Sequence, residues 1–212
     1  MAVLNTDEEK ARVLIVLGDA LQNVRDMPAA LGAYQRAQRV VDEAVVKEGT
    51  SPALTLARAD IELNIGLLHF GLRDLDKSIA HFTDALHILD GATALDSMEM
   101  ALRKVRLFNN MAAVYIRRSD FATALPYFQQ ALQMNRPLND VRNAGSLNNN
   151  IGICLMELGK HDQANEYFLN SLAVRKELDD ARGQAQVLNN LGKNQVNFGR
   201  FAAARDHFEQ AL

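Results

Sequence analysis

The 212-residue chain contains a single cysteine, Cys154, four prolines and no tryptophan. One thiol excludes an intramolecular disulfide and any multi-cysteine zinc site. Long apolar runs are missing as well. The longest, Val13-Leu14-Ile15-Val16-Leu17, is five residues lying between Arg12 and Asp19, far short of the ~20 that a bilayer span needs. It also lacks the basic start and the cleavage site of a signal peptide. Charge of one sign is scarce: 23 Lys and Arg stand against 26 Asp and Glu, for a net charge of −3. Such a balance gives no general attraction to nucleic acid or anionic lipid, so neither nucleic acid nor membrane is expected as a partner. What remains, 48% hydrophobic and 23% charged, is ordinary globular composition, enough for one or two domains or one repeat array. The expected location is the reducing cytoplasm.

Apolar residues recur at intervals of three and four, not two, which is helical periodicity. Punctuation is short: Gly49-Thr50-Ser51-Pro52, Asp90-Gly91, Arg136-Pro137 and Leu178-Asp179-Asp180. Ser51-Pro52 reads as an N-cap followed by proline in the first turn. The chain is therefore expected to be all-α, with helices at 7–24, 28–48, 52–71, 75–90, 97–118, 120–135, 139–158, 161–177, 180–198 and 201–212.

Self-comparison reveals the organising feature. Apolar-small pairs stand at Leu17-Gly18, Ile65-Gly66, Met111-Ala112, Ile151-Gly152 and Leu191-Gly192. Thirteen residues after the first member of each come Ala30, Ser78, Ala124, Ala164 and Ala204. Four further on are Tyr34, Phe82, Phe128, Phe168 and Phe208; three beyond those are Ala37, Ala85, Ala131, Ser171 and Ala211. Five rows align without a gap. The small residue beside the anchor lets a second helix approach closely, and the aromatic between two small residues is expected to fill space between neighbouring helix pairs.

This pattern resembles the tetratricopeptide repeat over essentially the whole chain. The resemblance implies a right-handed superhelix, an α-solenoid of about five helix-turn-helix repeats near 11–48, 52–92, 97–137, 138–178 and 179–212, forming a single domain over 1–212. The family's tryptophan near the repeat start is absent. The aromatic three residues past the small position is found only as Tyr115, its counterparts being Leu21, His69, Leu155 and Gln195. Anchor spacings of 48, 46, 40 and 40 residues exceed the standard repeat of ~34. The excess belongs between repeats, because the motif interior is constant. Long-helix repeats of this kind are similar to those of kinesin light chain and of bacterial MalT-type regulators, as are the phrases Leu147-Asn148-Asn149-Asn150-Ile151-Gly152, Leu188-Asn189-Asn190-Leu191-Gly192 and Ser171 to Asp180.

One column is not required by packing. Before each anchor stand Val16, Asn64, Asn110, Asn150 and Asn190, themselves preceded by Ile15, Leu63, Asn109, Asn149 and Asn189. Asparagine is a poor helix-interior residue. Its amide offers two donors and an acceptor, suited to clamping the backbone of an extended peptide. The resemblance to peptide-binding long-helix repeats implies that role for Asn64, Asn110, Asn150 and Asn190, with Asn109, Asn149 and Asn189 beside them. The competing reading is that these amides bond between repeats and set the solenoid's shape. Arg106, Arg117 and Lys193 fall on the same surface, with Arg142 and Arg182 near it and Asp60 and Glu157 as acidic counterparts. Arginine forks there would suit ligand carboxylates. The carboxylate clamp of chaperone-binding repeats is not reproduced, since Asp19 and Val16 stand where it needs amides or lysines.

Catalysis finds no support. HExxH, P-loop, GxGxxG and GxSxG motifs are absent. His81 and His207 share one repeat position, which points to architecture, and no metal or cofactor is expected. Cys154 reads as a packed thiol, Met98, Met100, Met111, Met134 and Met156 as core filler, and Asp179-Asp180 as a helix start. No polar cap follows Phe201 and Phe208, so the chain is expected to be a fragment of a longer protein, with a homodimer through the last repeat as the alternative. The resemblance implies the sensory or regulatory part of a bacterial signalling protein that binds a protein or peptide. Against it stands a self-association module controlling an attached effector such as a diguanylate cyclase.

Overall fold

The computed structural model describes residues 6–92 and 96–212. Ten helices run through them: α1 (Asp7–Asn23), α2 (Met27–Glu48), α3 (Pro52–Gly71), α4 (Leu75–Asp90), α5 (Ser97–Arg117), α6 (Phe121–Asn135), α7 (Val141–Glu157), α8 (His161–Glu177), α9 (Ala181–Asn197) and α10 (Phe201–Gln210). No strand occurs among the described residues. Every boundary lies within two residues of its expected place. The fold is all-α, a succession of five helix pairs among the described residues.

The chain's contacts group into two compact units, Met1–Met100 and Ala101–Leu212. In the first, α1 packs on α2, α2 on α3 and α3 on α4, around a core that includes Ala30, Tyr34, Ala37, Val41, Ile61, Ile65 and Leu68. In the second, α6 packs on α7, α7 on α8, α8 on α9 and α9 on α10. There α5 meets α6 through Phe108, Tyr115 and Tyr127.

In four of the five repeats the two helices are held by a ring seated on a glycine, the third carrying Ala112 in that place. A methyl placed on Gly66, Gly152 or Gly192 would stand 2.5 to 2.6 Å from the ring of Phe82, Phe168 or Phe208, and Gly18 is covered in the same way by Tyr34. Contact that close leaves no room for a side chain. The aromatic column thus packs first inside its own pair, where the sequence reading put it between pairs. The sixteen-residue offset brings the ring back over the small residue across the turn. The flanking small column is equally closed, Ala30, Ser78, Ala124, Ala164 and Ala204 all being buried.

The turn inside each pair is invariant. Three residues separate the helices in all five repeats: 24–26, 72–74, 118–120, 158–160 and 198–200. The middle one is left-handed every time: Arg25, Arg73 and Ser119 at φ 58 to 64°, Gly159 at 73° and Gly199 at 77°. The next backbone N–H reaches back across the helix end, Asp26 to Leu21, Asp74 to His69, Asp120 to Tyr115, Lys160 to Leu155 and Arg200 to Gln195, at 2.8 to 2.9 Å. This is the Schellman closure. It leaves repeat length free to vary only away from the turn, at the far ends of the long α2, α3 and α5 and in the links between pairs.

Three of these turns carry an aspartate whose carboxylate accepts the N–H three residues on, at Asp26, Asp74 and Asp120. Lys160 and Arg200 occupy the same place without a side-chain cap. The replacement Lys160→Asp is therefore expected to stabilise the protein by about 1 kcal/mol, and Ser119→Gly by about 0.5–1 kcal/mol through relief of left-handed strain. Gly152→Val should cost about 2 kcal/mol by overpacking Phe168, and Phe168→Leu in the same chain should restore part of it. Urea unfolding of the variants checks all three.

Candidate functional site

The asparagine column divides on inspection. Asn64, on α3, is 6% exposed and donates to Asp19 Oδ1 on α1 at 2.8 Å. The same oxygen accepts the Tyr34 hydroxyl at 2.7 Å, and that hydroxyl also lies 3.1 Å from Gln22 Oε1. Tyr34 is the one hydroxylated member of an otherwise phenylalanine column, so this polar node is peculiar to the first repeat and ties it to the second. Burial, and then the bond to Asp19, push the Tyr34 hydroxyl above its ordinary value of 10.

In the second unit Asn190 on α9 donates to Asn149 Oδ1 on α7 at 2.9 Å, and Asn149 is buried. These two side chains bond between repeats, as the competing reading of the column required. Asn109, Asn110 and Asn150 are half-buried, and among the described residues no hydrogen bond reaches their amides. Asn189 is exposed at a cleft of about 920 Å³ along α9 and α10, shared with Arg182, Gln186, Phe201 and Phe208. Arg106, Arg117 and Lys193 are exposed on α5 and α9. The structure therefore does not bring all ten expected residues to one open surface.

Several polar residues that matter to the second unit were not singled out by sequence reasoning. Asn194 is fully buried; its amide donates to the His161 carbonyl, and its oxygen lies 2.9 Å from His161 Nδ1. Beside it Gln195 donates to Asn165 at 2.9 Å. The signal was present: Asn194 occupies a column whose other members are Ala20, which is exposed, and Leu68, Val114 and Cys154, which are core. Arg175, at the end of α8, bonds Asp180 Oδ2 at 2.9 Å and the Ser146 hydroxyl at 2.7 Å, fastening α8 to α7 and to the start of α9. Asp180 also caps α9 through Gly183. That bond first, and Arg175 with it, hold its carboxyl below the usual range against the opposing effect of burial. Cys154 is buried, and burial pushes its thiol up to about 12, far from nucleophilic behaviour.

Two family models, each described as tetratricopeptide repeat, match residues 109–173 and 143–212. The same columns continue in register through the first half of the chain. The chain belongs to the tetratricopeptide-repeat family. No curated protein matches it in sequence. Among solved structures, BtubC (BKLC) from P. vanneervenii superimposes with a TM-score of 0.79 at 22% identity, covering 97% of this chain and 79% of that one. A putative kinesin light chain from Podosopora anserina, with nearly identical TPR-like repeats, gives 0.72 at 12% identity over 98% and 95%. YrrB, titled a TPR protein with an unusual peptide-binding site, gives 0.61 at 20% over 93% and 82%. These are likenesses of fold. Tetratricopeptide repeats serve as protein-interaction scaffolds, and no catalytic family is indicated. Among the described residues no helix of this repeat protein is long and apolar enough to cross a membrane.

The node at Asp19 gives two checks. Asn64→Ala should lower stability by about 1 kcal/mol, the net worth of one hydrogen bond, since the exposed Asp19 carboxylate can turn to water instead. Tyr34→Phe should cost about as much at pH 8. The neutral hydroxyl is favoured by the fold, so its contribution is complete below pH 10 and is lost as pH rises past that value. The gap between wild type and Tyr34→Phe should therefore narrow at pH 11 in urea melts.

Proposed function

We propose that this tetratricopeptide-repeat chain is a non-catalytic module, its five repeats acting as one domain, that holds an extended peptide or partner segment against the first helices of its central repeats. Asn110 and Asn150 are the contacts we assign to the peptide backbone, with Asn109, Asn189, Arg106, Arg117 and Lys193 flanking them. The observation that carries this reading is the split in the asparagine column. Where an asparagine is structural, at Asn64 and Asn190, its bond partner is evident. Asn110 and Asn150 accept the helix cost of asparagine with no bond in return among the described residues. YrrB, of the same fold, is described as having a peptide-binding site, which supports the class of ligand. The subgroup resemblance extends the proposal to a cytoplasmic, regulatory role in a bacterial signalling protein.

The test is the double variant Asn110→Ala, Asn150→Ala, probed with peptides selected on wild-type protein from a random extended-peptide library. Its melting temperature should stay level or rise, because alanine is the better helix former. Affinity for the selected peptides should fall by about 1 kcal/mol per lost hydrogen bond. A loss of several kcal/mol of stability, or undiminished peptide affinity, contradicts the proposal.

A second reading has its own observation. Phe201 is 68% exposed at the cleft along α9 and α10, an apolar surface suited to a second copy of the chain. Light scattering should then show a dimer that Phe201→Glu dissolves. A monomer at high concentration removes this reading and leaves the first intact.

A further inference from the structure

The first unit holds a cluster that neither packing nor the proposed peptide face uses. His81 on α4 places Nδ1 2.7 Å from Glu62 Oε2 on α3. Asp84, one turn beyond His81, completes a set of three ligand-capable atoms that all lie within 4.8 Å of one another. Behind them the ring of His69 stacks on His81, centroids 5.4 Å apart and planes 5° from parallel, which restrains the His81 ring. Gln38 Nε2, from α2, lies 3.5 Å from the other Glu62 oxygen.

The repeat register shows how unusual this is. Four residues before the small position the five repeats carry Leu14, Glu62, Phe108, Asn148 and Leu188; fifteen after it, Ala33, His81, Tyr127, Tyr167 and His207; eighteen after it, Arg36, Asp84, Gln130, Asn170 and Gln210. The stacked histidines occupy the places where the third repeat stacks Tyr115 on Tyr127. An aromatic pair there is architecture. A glutamate in a column otherwise filled by leucine, phenylalanine or asparagine, with an aspartate at the third position, is not. Glu62 is 15% exposed in its side chain, and a carboxylate at such a depth needs a counter-charge. The second repeat alone combines histidine with two carboxylates. The fifth repeats the histidine, His207, without either acid.

We infer that Glu62, His81 and Asp84 form a binding site for a divalent transition-metal ion of the zinc class. One imidazole and two carboxylates match the nitrogen and oxygen preference of such ions, where magnesium and calcium take oxygen alone. Two negative charges neutralise the ion. Ligand atoms of a tetrahedral site sit about 3.3 Å apart at the usual bond lengths of ~2.0–2.2 Å, so rotation of the exposed Asp84 side chain closes the site. Three protein ligands leave one position for water or a donor from a partner.

Calorimetric titration of the full chain with zinc chloride tests this. Wild type should bind one ion and melt at a higher temperature with zinc, and magnesium should do neither. His81→Tyr, which installs the residue found at this place in the third and fourth repeats, should abolish the binding. Asp84→Asn, an exposed change that leaves the fold alone, should weaken it by about tenfold or more. No binding up to millimolar zinc, or binding that is the same in both variants as in wild type, overturns the assignment.

Discussion

Each repeat depends on one contact, an aromatic ring lying on a residue with no side chain or only a methyl. Gly18, Gly66, Gly152 and Gly192 each carry a ring from sixteen residues downstream, and Ala112 with Phe128 fills the same two columns in the third repeat. The contact fixes the distance between the two helices, because nothing can be inserted under the ring, and it fixes their register, because the ring must return to one residue. The three-residue turn with its left-handed centre is the connection that permits this return. Once the pair is set, remaining variation is pushed outward into the lengths of α2, α3 and α5 and the links between pairs.

This explains how much could be read from residues alone. The spacing of the small and aromatic columns is a direct consequence of the contact, so the repeats and helix boundaries were legible to within two residues. The partner of each ring was less so. Column spacing says that a small residue and an aromatic recur together, but only the turn geometry shows that they meet inside one pair. The left-handed turn column was hidden because Arg25, Arg73 and Ser119 hold it in three repeats, and these residues carry no glycine signature.

The polar residues were harder for a physical reason. A helical wheel assigns Asn64, Asn110, Asn150 and Asn190 one face, yet whether an amide on that face is free depends on which neighbour lies across from it. Asp19 answers Asn64 and Asn149 answers Asn190, and both pairings join residues about forty positions apart, beyond the reach of local pattern. A better guide was available in the register itself. Asn194 in a column with the core residues Leu68, Val114 and Cys154, or an acid at Glu62 where the other repeats carry Leu14, Phe108, Asn148 and Leu188, departs from what packing favours in its column. Such breaks mark the places where a polar group does something specific: a buried tie to His161 in one case, a cluster with His81 and Asp84 in the other.

The central claim is that the asparagine column holds two kinds of residue, ties between repeats and open amides for a ligand. Hydrogen exchange of the asparagine side-chain amides, followed residue by residue by NMR, reads this directly. The account predicts slow exchange at Asn64 and Asn190, whose N–H groups are held by Asp19 and Asn149, and exchange near the free-amide rate at Asn110 and Asn150. Equal protection across all four positions would contradict it and return the whole column to architecture.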